Sequence, residues 1–240
     1  YPDGGVKDLY NYWADQRHGE FKEFRESGTL NLSGFYHSNR RDSIWTFYYE
    51  NGKPELLIKY NQGKAKIIDF YTRGGNKTVD KGNGEMNRQW EDGNIRSKGN
   101  VVDGVENGEW IYYYENGSKK KQGVFKSGVQ TGTWIEYYPN GVKKNEINNE
   151  NGMNISWNPD GQKTMEGQII NEQREGEWKY WYPDGSLRSV NNFVNDRRHG
   201  EQVQYYPNKN KKAILNFDNG IRFGPAYWWH EDGSKDIEGN

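Results

Sequence analysis

Along this chain, apolar and polar positions follow one scheme again and again. Five or so residues rich in Trp, Tyr and Ile alternate with polar ones. An Asn-Gly or Asp-Gly pair then interrupts the run, and a shorter half-apolar run follows. The clearest copies read GEWIYYYENG from Gly108 to Gly117, GTWIEYYPNG from Gly132 to Gly141 and GEWKYWYPDG from Gly176 to Gly185. Aromatic and β-branched residues at alternate positions fit a pleated strand. An Asn-Gly or Asp-Gly pair supplies the positive φ values that a tight hairpin turn needs. Each copy therefore predicts a β-hairpin.

The glycines show how regular the scheme is. Turn glycines fall at Gly4, Gly28, Gly52, Gly93, Gly117, Gly141, Gly161, Gly185 and Gly233, with most steps equal to 24 residues. A second column precedes them by nine residues, at Gly19, Gly84, Gly108, Gly132, Gly152, Gly176, Gly200 and Gly224, with Ser43 substituting once. A third follows the turn by six, at Gly34, Gly99, Gly123, Gly167 and Gly239. The 240 residues then hold roughly ten units, with a degenerate one near 53–92 and a shortened one near 142–161. A lone hairpin is marginal in water, so the units must stack. The expected fold is all-β: one domain over 1–240, an elongated array of about ten stacked antiparallel hairpins.

Composition changes that picture in one respect. Hydrophobic residues make up only 32% and charged residues 28%, a balance that leans toward disorder. Yet the chain carries 10 Trp, 18 Tyr and 9 Phe, so its core is expected to be thin and aromatic. A formal net charge of -1 gives no global field toward nucleic acid. Zero Cys excludes disulfides, thiolate metal sites and cysteine nucleophiles. No stretch approaches the apolar length of a membrane-spanning helix. Tyr1-Pro2-Asp3-Gly4 reads as the end of a truncated unit, so an upstream segment that could include a targeting signal is expected to be missing; the compartment stays open between cytoplasm and export.

These columns resemble the bacterial variant of the MORN repeat, whose units carry G-x-W-x-x-Y-Y-x-N-G followed by a short second strand. The resemblance covers nearly the whole chain. It implies a sheet of hairpins with no catalytic residues of its own, hence no enzyme and no cofactor. Many bacterial members are labelled YwqK-type antitoxins, and eukaryotic relatives are membrane-associated or protein-scaffolding modules, some reported to bind acidic phospholipids.

Position 0 is taken as the Trp two residues after the second-column glycine. Three residues on stand Phe24, Tyr48, Gln89, Tyr113, Tyr137, Trp157, Trp181, Tyr205 and Trp229, a column expected to pack. Alternation puts positions 0, +2 and +4 on the opposite face. There the triplets vary: Trp45-Phe47-Tyr49, Trp110-Tyr112-Tyr114, Trp134-Glu136-Tyr138 and Trp178-Tyr180-Tyr182, then Gln202-Gln204-Tyr206. Packing tolerates little variation and recognition can use it, so the rings of this face are the candidate partner-binding residues; a second packing spine is the competing reading. A protein partner is the expected ligand, with acidic phospholipid or a glycan as the alternative, and open sheet edges would allow self-association.

Other chemistry is weaker. Glu20, Glu85, Glu109, Glu177 and Glu201 share a column that reads as a solvated strand edge. His18, His37, His199 and His230 are scattered and form no expected metal site or triad. Basic clusters at Arg40-Arg41, Lys119 to Lys121, Lys143-Lys144, Arg197-Arg198 and Lys209 to Lys212 recur just after turns and could line one edge of the array.

Overall fold

A computed structural model describes every residue except Asp3, Asn149 and Asn240, and every side chain but those of Ile237 and Glu238 as well. Asp3 of the Tyr1-Pro2-Asp3-Gly4 motif and Asn240 therefore lie outside the described residues. Among the described residues there is no helix, and every strand pairing is antiparallel. The chain divides into two compact units: residues 1–110 with 125–129, and residues 111–124 with 130–240. The all-β hairpin array expected from the sequence is what each unit contains.

In the first unit, Gln16–Phe24 pairs with Leu30–His37, which pairs in turn with Arg40–Tyr48 and onward through Pro54–Asn61. In the second, Asn151–Trp157, Lys163–Ile170, Gln173–Trp181 and Leu187–Val194 pair in succession, and Gly200–Tyr205 bridges Leu187–Val194 to Lys211–Asp218.

Two kinds of turn alternate, and their chemistry differs from the sequence expectation. At Asn116-Gly117 only the glycine takes a positive φ, of 80°. Its N–H donates to Tyr114 O at 3.0 Å while Tyr114 N donates to Ser118 O at 2.9 Å. This is a longer loop ending in a left-handed residue, not a two-residue turn. The two-residue turns join one hairpin to the next, at pairs such as Asn171-Glu172 (φ 51° and 65°) and Asn195-Asp196 (48° and 65°).

Position 0 carries the core. Trp45, Trp110, Trp134 and Trp178 are 0–4% exposed. Each lies flat on the third-column glycine eleven residues earlier: a Cβ added at Gly34, Gly99, Gly123 or Gly167 would fall 2.1–2.3 Å from the indole Cδ2. The third glycine column therefore exists to admit a ring. Three of the indole N–H groups also donate to the carbonyl just past that glycine, at Phe35, Asn100 and Gln168, over 3.1–3.2 Å. Where position 0 is not Trp, the opposing residue is larger: Tyr10 packs on Phe21 with ring centroids 4.7 Å apart, and Asn191 stands against Gln202. A buried indole removes about 200 Å² from water, worth roughly 5 kcal/mol before chain entropy is subtracted.

The +3 column is not the deepest layer. Tyr48, Tyr113, Tyr137 and Trp181 are half-buried, while Val101, Phe125, Phe193 and Phe217, two residues past the third column, are buried.

Candidate functional site

The 0/+2/+4 face divides into three tasks. The Trp column lies within the core, so Trp45, Trp110, Trp134 and Trp178 offer no surface to a partner; this corrects the expectation that they belong to a binding face, because the glycine beneath each ring draws it flat into the sheet. The +4 tyrosines clip neighbouring hairpins together. The hydroxyls of Tyr49, Tyr114, Tyr138 and Tyr182 donate to the carbonyls of Tyr71, Tyr137, Trp157 and Tyr205 at 2.8–2.9 Å. Tyr1 and Tyr206 do the same to Phe24 and Trp229. At Arg25 and Arg73 a guanidinium takes the tyrosine's place, donating to Tyr48 O at 2.6 Å and Trp90 O at 2.9 Å. Burial pushes the Tyr49 hydroxyl up to about 12, with the nearby Glu55 carboxylate acting in the same direction.

The +2 side chains remain half-exposed. Phe47 leans on the Phe21–Leu32–Trp45 cluster in the first unit, whereas Tyr112 and Tyr180 sit on the face of the second. Glu136 replaces a ring at this position and faces Lys121 at 3.6 Å. Phe47, Tyr112 and Tyr180 are thus the sequence-predicted residues still open to a ligand.

A second set of side chains joins them. Just past each hairpin loop the register slips by one residue: Gln89 pairs with Ile95 but Arg88 with Ser97, Tyr137 with Lys143 but Glu136 with Asn145, Trp181 with Leu187 but Tyr180 with Ser189, and Tyr205 with Lys211 but Gln204 with Ala213. At three other loops the skipped residue is Asn31, Glu55 or Thr164, and at these four it is Arg96, Lys144, Arg188 and Lys212. A bulge re-aims the residue it leaves unpaired. Here it aims cations at rings: Arg96 lies 4.7 Å from the Trp90 centroid, Lys144 5.8 Å from Tyr138, Arg188 5.7 Å from Tyr180 and Lys212 5.4 Å from Tyr206. Lys120 lies 5.6 Å from Tyr114 and, like the others, stands three residues past the left-handed turn residue, which is Gly117 here and Lys209 for Lys212. Three of the basic clusters noted in the sequence thus supply Lys120, Lys144 and Lys212 to the aromatic face, whereas Arg96 and Arg188 lie outside those clusters. The legible signal was the constant three-residue offset from the turn residue, a glycine in every case but that of Lys212.

The remaining sequence candidates are peripheral. Glu20, Glu85, Glu109, Glu177 and Glu201 are all exposed. His18 and His37, scattered in sequence, come together with ring centroids 4.8 Å apart in the first unit. His199 and His230 face Asp218 and Asp236 at 3.3 and 3.4 Å on the surface. Among the described residues no group of three or more His, Asp or Glu is arranged to hold a metal ion, and no helix is long and apolar enough to cross a membrane.

One concavity opens on this face in the second unit. It is lined by Arg174, Arg188, Arg198 and Lys212, by Tyr180, Tyr182 and Tyr205, and by Asn191 and Gln204. Arg174 is held by Asp196 at 2.9 Å, and that guanidinium keeps the Asp196 carboxyl below the usual carboxylate range. Among the described residues, Arg188, Arg198 and Lys212 have no carboxylate within ion-pair distance.

The model of the MORN repeat variant matches this chain at five segments: residues 41–62, 106–127, 130–149, 174–195 and 198–219. Each takes in a first strand, its loop and a second strand, so these segments are similar to MORN-variant repeats in both sequence and hairpin layout. No curated protein matches the chain. Among solved structures, one named "Crystal Structure of TcdB2-TccC3-Cdc42" aligns over 92% of this chain at 12% identity with a TM-score of 0.23, and the chain spans 15% of that partner's length. At that TM-score the likeness supports no statement about arrangement or function.

Proposed function

We propose that this chain is a non-enzymatic repeat scaffold that binds a protein partner through the +2 rings and bulge-aimed cations of its aromatic face. The observation that carries the reading is the bulge that, at four hairpins, holds Arg96, Lys144, Arg188 or Lys212 over a ring. Tyr and Arg on one surface supply contact area, hydrogen bonds and charge together, the chemistry of interface anchors. The MORN-variant repeats support a binding role of this general kind. An antitoxin-like role, implied by the sequence resemblance, would be one form of it, the partner's activity being blocked by occlusion.

Affinity capture tests it. Native bait is compared with Tyr112→Ala/Tyr180→Ala bait, both first shown to fold by circular dichroism. A protein enriched by the native bait and lost with the variant supports the scaffold; identical captures refute it. The cation row also favours a second reading, attraction to acidic lipid headgroups, which salt would screen. Co-sedimentation with phosphatidylserine vesicles that vanishes in high salt, with no protein captured, would replace the first reading by the second.

A further inference from the structure

We infer that the concavity around Asn191 in the second unit is the docking site for an acidic segment of the partner polypeptide. The inference rests on the scaffold reading above and names the partner's chemistry. It begins from a break in the repeat. At Gly167 and Trp178 a ring fills the space over a glycine. One hairpin further on, the same two positions hold Asn191 and Gln202, so no ring covers the floor. Both amides are buried, at 6% and 5% exposure, and Asn191 Oδ1 and Gln202 Oε1 have no hydrogen-bond partner. Buried amides without partners are costly, and a site that takes a polar ligand accounts for their retention.

Charge selects the ligand. No Asp or Glu lines the concavity, and four cations do. Three of them, Arg188, Arg198 and Lys212, have no carboxylate partner among the described residues and lie over the rings of Tyr180, Phe217 and Tyr206. With the chain as a whole at net -1, this is a local concentration of positive charge.

Spacing favours a polypeptide over a lone anion. The cations stand on the strands Gln173–Trp181, Leu187–Val194, Arg197–Arg198 and Lys211–Asp218. From the first of these to the last is three inter-strand steps, about 14 Å. A single phosphate or carboxylate reaches one or two of these groups. An extended chain with a carboxylate at alternate residues reaches all of them, and its backbone N–H groups can meet the Asn191 amide oxygen, which lines the concavity.

The test uses the full chain and fluorescein-labelled peptides alternating Glu and Gly, or Gln and Gly as the uncharged control, followed by fluorescence anisotropy at low salt. The Glu peptide is expected to bind and the Gln peptide to bind far more weakly. Arg188→Gln with Lys212→Gln should weaken the Glu peptide by about tenfold, the sum of two modest charge pairs. Lys119→Gln with Lys126→Gln, which removes the same charge from exposed positions outside the concavity, should change it by less than about twofold. Asn191→Gly with Gln202→Trp rebuilds the ring-over-glycine pair found in other hairpins, and should give a folded protein that has lost the site.

Equal weakening by both charge-removing pairs would show diffuse attraction and overturn the inference. So would undiminished binding by the folded Asn191→Gly/Gln202→Trp protein, or displacement of the peptide by an equal charge of inorganic phosphate. Binding to phosphatidylserine vesicles, or a concentration-dependent dimer abolished by Arg188→Gln/Lys212→Gln, without peptide binding would give the site to another occupant. If the peptide fails to bind while capture still depends on Tyr112 and Tyr180, the inference falls and the scaffold reading stands.

Discussion

Gly99 and Trp110 share one space: a Cβ built on the glycine would sit 2.3 Å from the indole Cδ2, and the ring's N–H donates to the carbonyl of Asn100. The same nesting joins Gly34 to Trp45, Gly123 to Trp134 and Gly167 to Trp178. It makes the two residues one unit of packing.

Gly99→Ala should therefore cost about 1–3 kcal/mol, an overpacking penalty at a place where backbone and ring have little room to retreat. Trp110→Ala should cost about 3–5 kcal/mol by leaving a cavity. In the double variant the added methyl enters the space the ring has left, so the two losses should fall well short of adding. Urea unfolding of the four proteins measures this, and strict additivity would mean that ring and glycine do not compete for space.

The tyrosine clips should each be worth a hydrogen bond. Tyr182→Phe removes only the hydroxyl that reaches Tyr205 O at 2.9 Å, so a loss of about 1 kcal/mol is expected. Hydrogen exchange should show faster opening of the two hairpins it joins. No change in either quantity would make the 24-residue spacing of these contacts incidental.

Tyr49 gives the alkaline behaviour a sign. Its hydroxyl is held protonated to about 12, above the ordinary tyrosine value of about 10, by burial first and then by Glu55. A group with a raised folded pKa contributes stability that is complete below its unfolded pKa and lost as pH rises through the folded one. Native protein should thus be more stable than Tyr49→Phe below pH 10, and that margin should shrink between pH 10 and about 12. Unfolding midpoints of both proteins across that range test it; parallel curves would contradict it.

Much of the fold was legible because its signals are local. The 24-residue glycine spacing marks hairpins, and alternation assigns residues to faces. Which face is core was less so. The triplets Trp110-Tyr112-Tyr114 and Trp178-Tyr180-Tyr182 look uniform in sequence, yet their three rings are respectively buried under glycine, open on the face, and bonded to the next hairpin. Those fates depend on residues eleven positions earlier or 23 later, as Gly99 and Tyr137 show for Trp110 and Tyr114. Lys212 was visible as charge near a turn and Arg188 stood outside the basic clusters, and strict alternation puts both away from the rings they cover. The one-residue slip that reverses this arises in the pairing of two strands.

The division of labour between position 0 and position +2 is the centre of the account, and Trp178 and Tyr180 test it side by side. The measurement is the urea unfolding midpoint of Tyr180→Ala beside that of Trp178→Ala. Trp178→Ala should lose about 3–5 kcal/mol, and Tyr180→Ala should keep a near-native midpoint with its ring gone from the face. A Tyr180→Ala protein that unfolds as readily as Trp178→Ala would make the +2 rings a second packing spine and leave this scaffold without its proposed binding face.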